Sequence, residues 1–139
     1  MAIEWNEAKL GSGLPDIDAQ HKEWIRRYNE FDNAVMNGQG LDVIFSTLAF
    51  MVQYTETHFS HEEARMAECG CQAKYENRAT HDQFRTRLDE MLSWLENVKP
   101  TTVEVVILKQ ELEDWLTNHI STIDVQLRNF APDPSTVVL

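Results

Sequence analysis

The sequence predicts an all-α protein, an antiparallel up-down four-helix bundle with an irregular N-terminal arm and a short C-terminal tail. Three observations predict it. Apolar residues recur at helical spacing in four long segments. Only five Gly and four Pro occur among 139 residues, too little turn material for many short strands. The breaks between segments are short, which makes consecutive helices antiparallel neighbours. The length fits a single domain, residues 1–139, built on one core.

From Met1 to Pro15, the breakers Gly11, Gly13 and Pro15 predict an irregular arm, pinned to the body by Trp5 and Leu14. A first helix over about 16–37 is expected to start with Asp16 as its cap. Ile17, His21, Trp24, Ile25, Tyr28, Phe31, Asp32 and Val35 follow at helical spacing. Asn37-Gly38-Gln39-Gly40 stops it. The second helix, about 41–68, has the clearest pattern. Leu41, Leu48, Thr55 and Glu62 recur every seven residues, as do Ile44, Met51 and His58, which is the seam of an antiparallel bundle. The cysteines that follow, Cys69 and Cys71, form no disulfide framework and read as loop thiols.

The third helix, about 73–98, turns His81, Phe84, Leu88, Met91, Leu92 and Leu95 inward. Lys99-Pro100-Thr101-Thr102 supplies a turn and a cap, because Pro is tolerated only at a helix start. The fourth helix, about 101–129, carries Val105, Leu108, Leu112, Trp115, Leu116, His119, Ile120, Ile123 and Leu127. Pro132 and Pro134 lie beyond its end.

The net charge of −11 argues against nucleic acid and anionic membranes as partners, since both reward Lys and Arg. No apolar run approaches the ~20 residues that a membrane span needs. The N-terminus has no basic-then-apolar signal pattern, so the expected location is the cytoplasm.

Chemistry enters through residues that interrupt the apolar stripes. His21, His58, Glu62, His81 and His119 all fall on core faces, and Asp124 follows. An unpaired carboxylate in a core costs several kcal/mol, and a metal centre removes that difficulty. His58 and Glu62 are four residues apart, so they share a helix face ~6 Å apart along the axis. His119 and Asp124 are five apart and do not share a face ideally, but Asp124 lies four residues after the inward Ile120. His21 is early in helix one, Glu62 late in helix two, His81 early in helix three and His119 late in helix four. In an up-down bundle all four levels coincide. Imidazole and carboxylate ligands suit iron, zinc, manganese or copper. Two carboxylates with several imidazoles fit a carboxylate-bridged di-iron centre, open to dioxygen, peroxide or nitric oxide. His61 points about 100° away from Glu62 and reads as a surface histidine. Glu63 reads as solvated or as support for a ligand, and Met51, Met66 and Met91 as core filler.

These residues also resemble those of the bacterial hemerythrins, over nearly the whole chain from Glu4-Trp5 to about Arg128. Ile17-Asp18-Ala19-Gln20-His21-Lys22 resembles the first-helix ligand motif. His58-Phe59-Ser60-His61-Glu62-Glu63 resembles the HF-x-x-EE stretch. His81-Asp82-Gln83-Phe84 resembles the third-helix motif. Trp115-Leu116-Thr117-Asn118-His119-Ile120 with Asp124 resembles the fourth-helix HxxxxD motif. The resemblance implies a four-helix bundle around two non-haem iron ions with an oxo or hydroxo bridge. It implies His21 and His58 on one iron, His81 and His119 on the other, and Glu62 and Asp124 bridging. It also implies an apolar dioxygen pocket matched by Phe59, Trp115, Leu116 and Ile120.

One position departs from the pattern. The family's third helix carries HxxxH, and four residues before His81 stands Asn77. Asn77 binding through its amide oxygen, a water or Glu76 filling the gap, an open position, and loss of that metal are the alternatives; two metals still bound is the reading adopted. The expected function is reversible dioxygen binding for storage, delivery or sensing. The alternative is an enzyme acting on peroxide, dioxygen or nitric oxide through an iron left more open. The chain reads as an oxygen-binding protein ahead of an enzyme.

Overall fold

A computed structural model of the chain describes residues 3–69 and 73–122. Five helices follow in order: α1 Glu7–Leu10, α2 Pro15–Met36, α3 Leu41–Cys69, α4 Ala73–Val98 and α5 Thr102–Thr122. The four long ones form the predicted bundle. α2 packs on α3 and α5, and α3 packs on α4. No helix among the described residues is long and apolar enough to cross a membrane.

The arm is not wholly irregular, which corrects the sequence expectation. Asn6 caps the one-turn helix α1 by accepting from the Lys9 amide, and Leu10 is buried. Gly11 closes that turn because a side chain there would meet the Glu7 carbonyl at 2.7 Å. Pro15 does not break a helix but begins one. It occupies the first turn of α2, where its missing N–H leaves no bond unmade. Asp16 is not the cap. Its carboxylate turns outward to His61 Nε2 at 2.9 Å and to Arg65. Asp18 instead reaches back, accepting from the Ser12 backbone N–H at 2.7 Å and the Ser12 hydroxyl at 2.8 Å.

The other boundaries have local causes. Gly38 takes φ +66°, the left-handed geometry that ends α2. A reciprocal capping box starts α5: Glu104 accepts from the Thr101 amide, and the Glu104 amide donates to Thr101 Oγ1. The expected continuation of the fourth helix to 129, with Ile123, Asp124 and Leu127, lies outside the described residues.

One apolar core fills most of the bundle, with Trp24, Tyr28, Phe31, Leu48, Met51, Leu88, Met91 and Leu112 at its centre. A smaller cluster of Leu14, Ile17 and Met66 closes one end. Ile17 is one turn before His21 and Met66 one turn after Glu62, so the polar residues lie between the two clusters. The polar interruption at Thr55 is satisfied locally, since Trp24 Nε1 donates to its hydroxyl, which donates to the Met51 carbonyl.

Candidate metal centre

Glu62 is the hub. It is fully buried on α3, and its two carboxylate oxygens face different helices. Oε2 lies 3.0 Å from His21 Nε2 on α2 and 3.1 Å from His58 Nε2 on its own helix. Oε1 lies 3.3 Å from His81 Nε2 and 3.0 Å from Asn77 Nδ2, both on α4. His119 Nε2 on α5 completes that side, 3.0 Å from His81 Nε2. Two groups result, His21–His58–Glu62 and Glu62–His81–His119, each with ligand atoms within 4.8 Å of one another. Side chains from the start of α2, the end of α3, the start of α4 and the end of α5 thus meet at one level, as alternating helix directions require.

The outer ring nitrogens fix what the inner ones present. His58 Nδ1 is 3.0 Å from Gln20 Oε1, and His81 Nδ1 is 2.9 Å from Glu63 Oε2. Both partners are oxygen acceptors, so each Nδ1 carries a proton and donates it. A neutral ring then aims its Nε2 lone pair inward, toward a carboxylate oxygen about 3 Å away. Lone pairs facing an anion repel unless a cation lies between them. Spacings of 3.0–3.3 Å also match the edges between neighbouring ligands of one ion with bonds of ~2.1 Å. The donor set therefore fits metal ions on both sides of Glu62. Burial pushes the Glu62 carboxyl up, and positive charge among the surrounding imidazoles outweighs that and holds the acid well below the ordinary carboxylate value; with the rings neutral, a cation has to supply that charge.

The hemerythrin HHE cation-binding domain matches residues 12–128 of this sequence. The chain belongs to the hemerythrin family. A bacteriohemerythrin of Pseudomonas aeruginosa (strain LESB58) is 30% identical over 122 residues, spanning 88% of this chain and 76% of the relative. One from Aquifex aeolicus (strain VF5) is 29% identical over 109 residues, spanning 78% and 82%. A crystal structure of wild-type hemerythrin shares the fold with a TM-score of 0.83 at 21% identity, covering 94% of this chain and 98% of that one.

Within this hemerythrin-family site, five of the six predicted ligand positions converge: His21, His58, Glu62, His81 and His119. Asp124 lies outside the described residues. Phe59 stacks on His81 with centroids 3.6 Å apart, and Trp115 stacks on His119 at 4.5 Å. Leu116 and Ile120 belong to the buried core behind them. Asn77 is fully buried, one helical turn before His81, in the ring of ligand atoms. Glu76 is exposed and does not fill the gap, which removes one alternative for the missing histidine. His61 is half-exposed and bonded to Asp16.

Sequence reasoning missed Gln20 and left Glu63 undecided. Glu63 also accepts from Arg85 at 2.8 Å, and Arg85 is held in turn by Glu56 and Asp82. The only signal for either residue was adjacency to a ligand position. Adjacency does not say which ring nitrogen a side chain will reach.

Proposed function

We propose that the chain is a non-haem di-iron protein that binds dioxygen reversibly. His21 and His58 would hold one iron, His81 and His119 the other, with Glu62 and Asp124 bridging and an oxo or hydroxo group between the ions. Iron at these positions supplies a reduced centre with affinity for dioxygen. The observation that carries the reading is Glu62, which has His21 and His58 at one carboxylate oxygen and His81, backed by His119, at the other. The chain's own residues supply the rest. Gln20 and Glu63 hold two rings with Nε2 inward. Phe59, Trp115, Leu116 and Ile120 wall the site with apolar surface, which excludes water and slows proton access to a bound ligand. The net charge of −11 supports a chain without nucleic-acid or anionic-membrane partners.

The test is to reduce the iron-loaded protein anaerobically, add dioxygen and follow the visible spectrum. A new band that vanishes under vacuum and returns with dioxygen is the expected result. Prompt conversion to the oxidised spectrum, with turnover of added peroxide, would instead favour an enzyme. That second reading draws on one observation, the amide of Asn77 in place of a third imidazole beside His81 and His119.

A further inference from the structure

The amide of Asn77 is only half used. Its Nδ2 donates to Glu62 Oε1 at 3.0 Å and to Met66 Sδ at 3.2 Å. Its Oδ1 is buried and has no hydrogen-bond partner among the described residues. A buried carbonyl oxygen without a donor is uncommon, because nothing replaces the water it gave up. Turning the amide over does not resolve this. It would set two oxygen acceptors face to face at Glu62 and leave an NH2 group without a partner. The orientation shown is the one that leaves an acceptor for something else.

That acceptor belongs to the amide that touches the Glu62 oxygen on the His81 side. The two terminal atoms of an amide are ~2.3 Å apart, so Oδ1 is no more than about 5.3 Å from Glu62 Oε1. Glu62 Oε1, His81 Nε2 and His119 Nε2 are the ligand atoms of that side. The asparagine side chain is also shorter than an imidazole and cannot extend a nitrogen lone pair to the ion, because its Nδ2 has only donors. Among the described residues, the imidazole and carboxylate donors on the side facing His81 and His119 are the same as on the side facing His21 and His58: two imidazoles and one oxygen of Glu62.

We infer that Asn77 opens a second exogenous-ligand position, on the ion held by His81 and His119, and that its Oδ1 is the acceptor for a protonated small ligand there. Water is the resident ligand in this scheme, and a protonated peroxide belongs to the same chemical class. An anion without a proton is disfavoured, because Oδ1 turns a lone pair toward it. Asn77 is thus a positioning residue with two tasks. Nδ2 steadies the shared carboxylate, and Oδ1 selects the protonation state of what binds beside it. The inference rests on the two-metal reading above, and its experiment separates the two.

Full-length protein is loaded with iron and oxidised, its iron is counted, and azide is titrated by visible absorption and calorimetry. Wild type is expected to hold about two irons and to bind a second azide more weakly than the first. Asn77→His fills the position and is expected to abolish the second event while the first stays. Asn77→Leu leaves the position open but removes the acceptor, so the second azide should bind about tenfold more tightly than in wild type. A general loosening of the site would weaken both events in both variants, so the opposite responses of Leu and His are specific to this inference. Equal azide counts in wild type and Asn77→His, or weaker second binding in Asn77→Leu, would overturn it with the two-metal reading intact. Fewer than two irons in wild type would overturn the two-metal reading, and this inference with it.

Discussion

Asp32 and Glu62 are both buried carboxylates of this bundle, and their surroundings differ. Asp32 on α2 meets the ammonium of Lys109 on α5 at 2.7 Å, with Lys109 itself only 2% exposed. Burial pushes the Lys109 amine down, but the Asp32 carboxylate outweighs it and keeps the group above its ordinary value. That pair matches an anion with a cation across a helix interface. Glu62 is buried deeper still, yet it is surrounded by imidazoles, of which His58 and His81 commit their outer nitrogens to Gln20 and Glu63. The first arrangement sets charge against charge and reads as structural, tying α2 to α5. The second is electrostatically complete only with cations added. A buried acid thus marks a site when its neighbours are oriented lone pairs, and marks scaffold when its neighbour is already charged.

The largest effect that separates the two regions should come from Lys109→Met. It removes the ammonium that faces Asp32 and should cost up to about 3–5 kcal/mol of stability by denaturant melt. Iron content should be unchanged. Adding Asp32→Leu should recover most of that loss; a loss of iron instead would mean that the two regions are not independent. Removing the metals acts at the other region. With metal at about 100 times its Kd, chelation should lower stability by ~2.7 kcal/mol. Thermal melts with and without chelator read it, and a Tm indifferent to chelator would place Glu62 with the scaffold.

A smaller effect is expected from Glu63→Ala, which frees the outer nitrogen of His81. Metal affinity should fall about 10–100-fold in a competition titration against a chromophoric chelator. Unchanged affinity would show that the ring is oriented by its stack on Phe59 alone. The smallest concerns Asp16. Partial burial pushes its carboxyl up, but the His61 bond and the Arg65 charge outweigh this and hold it below its ordinary value of 3.8. A depressed acid stabilises the fold above its unfolded value and loses that contribution as pH falls through the folded one. Asp16→Asn should therefore reduce stability by less than about 1 kcal/mol at neutral pH, since both partners are well exposed. The difference from wild type should vanish in acid below the folded value. A difference that persists there would assign the effect to packing.

Helix placement and ligand levelling were legible in the sequence because both follow from period. A seven-residue recurrence that runs from Leu41 through Leu48 and Thr55 to Glu62 specifies one face whatever the partner helix is. What lay beyond it depends on tertiary geometry. Pro15 breaks or begins a helix according to whether anything before it is helical. Asp16 and Asp18 are equivalent as first-turn acids until the arm brings Ser12 onto one and α3 brings His61 onto the other. Asp32 was placed on the inner face, but Lys109 was not named, because a long side chain on a boundary position is ordinarily solvated. Asn77 was legible as a departure from a pattern; that its oxygen would be left over required the coordinates of Glu62 and Met66.

The central claim is that metal ions lie on both sides of Glu62. Anomalous scattering from crystals of the iron-loaded chain, collected at the iron edge, tests it most directly. The account predicts two peaks, one between Glu62 Oε2 and the rings of His21 and His58, the other between Oε1 and the rings of His81 and His119. A single peak, or none with the imidazoles still in place, would contradict it.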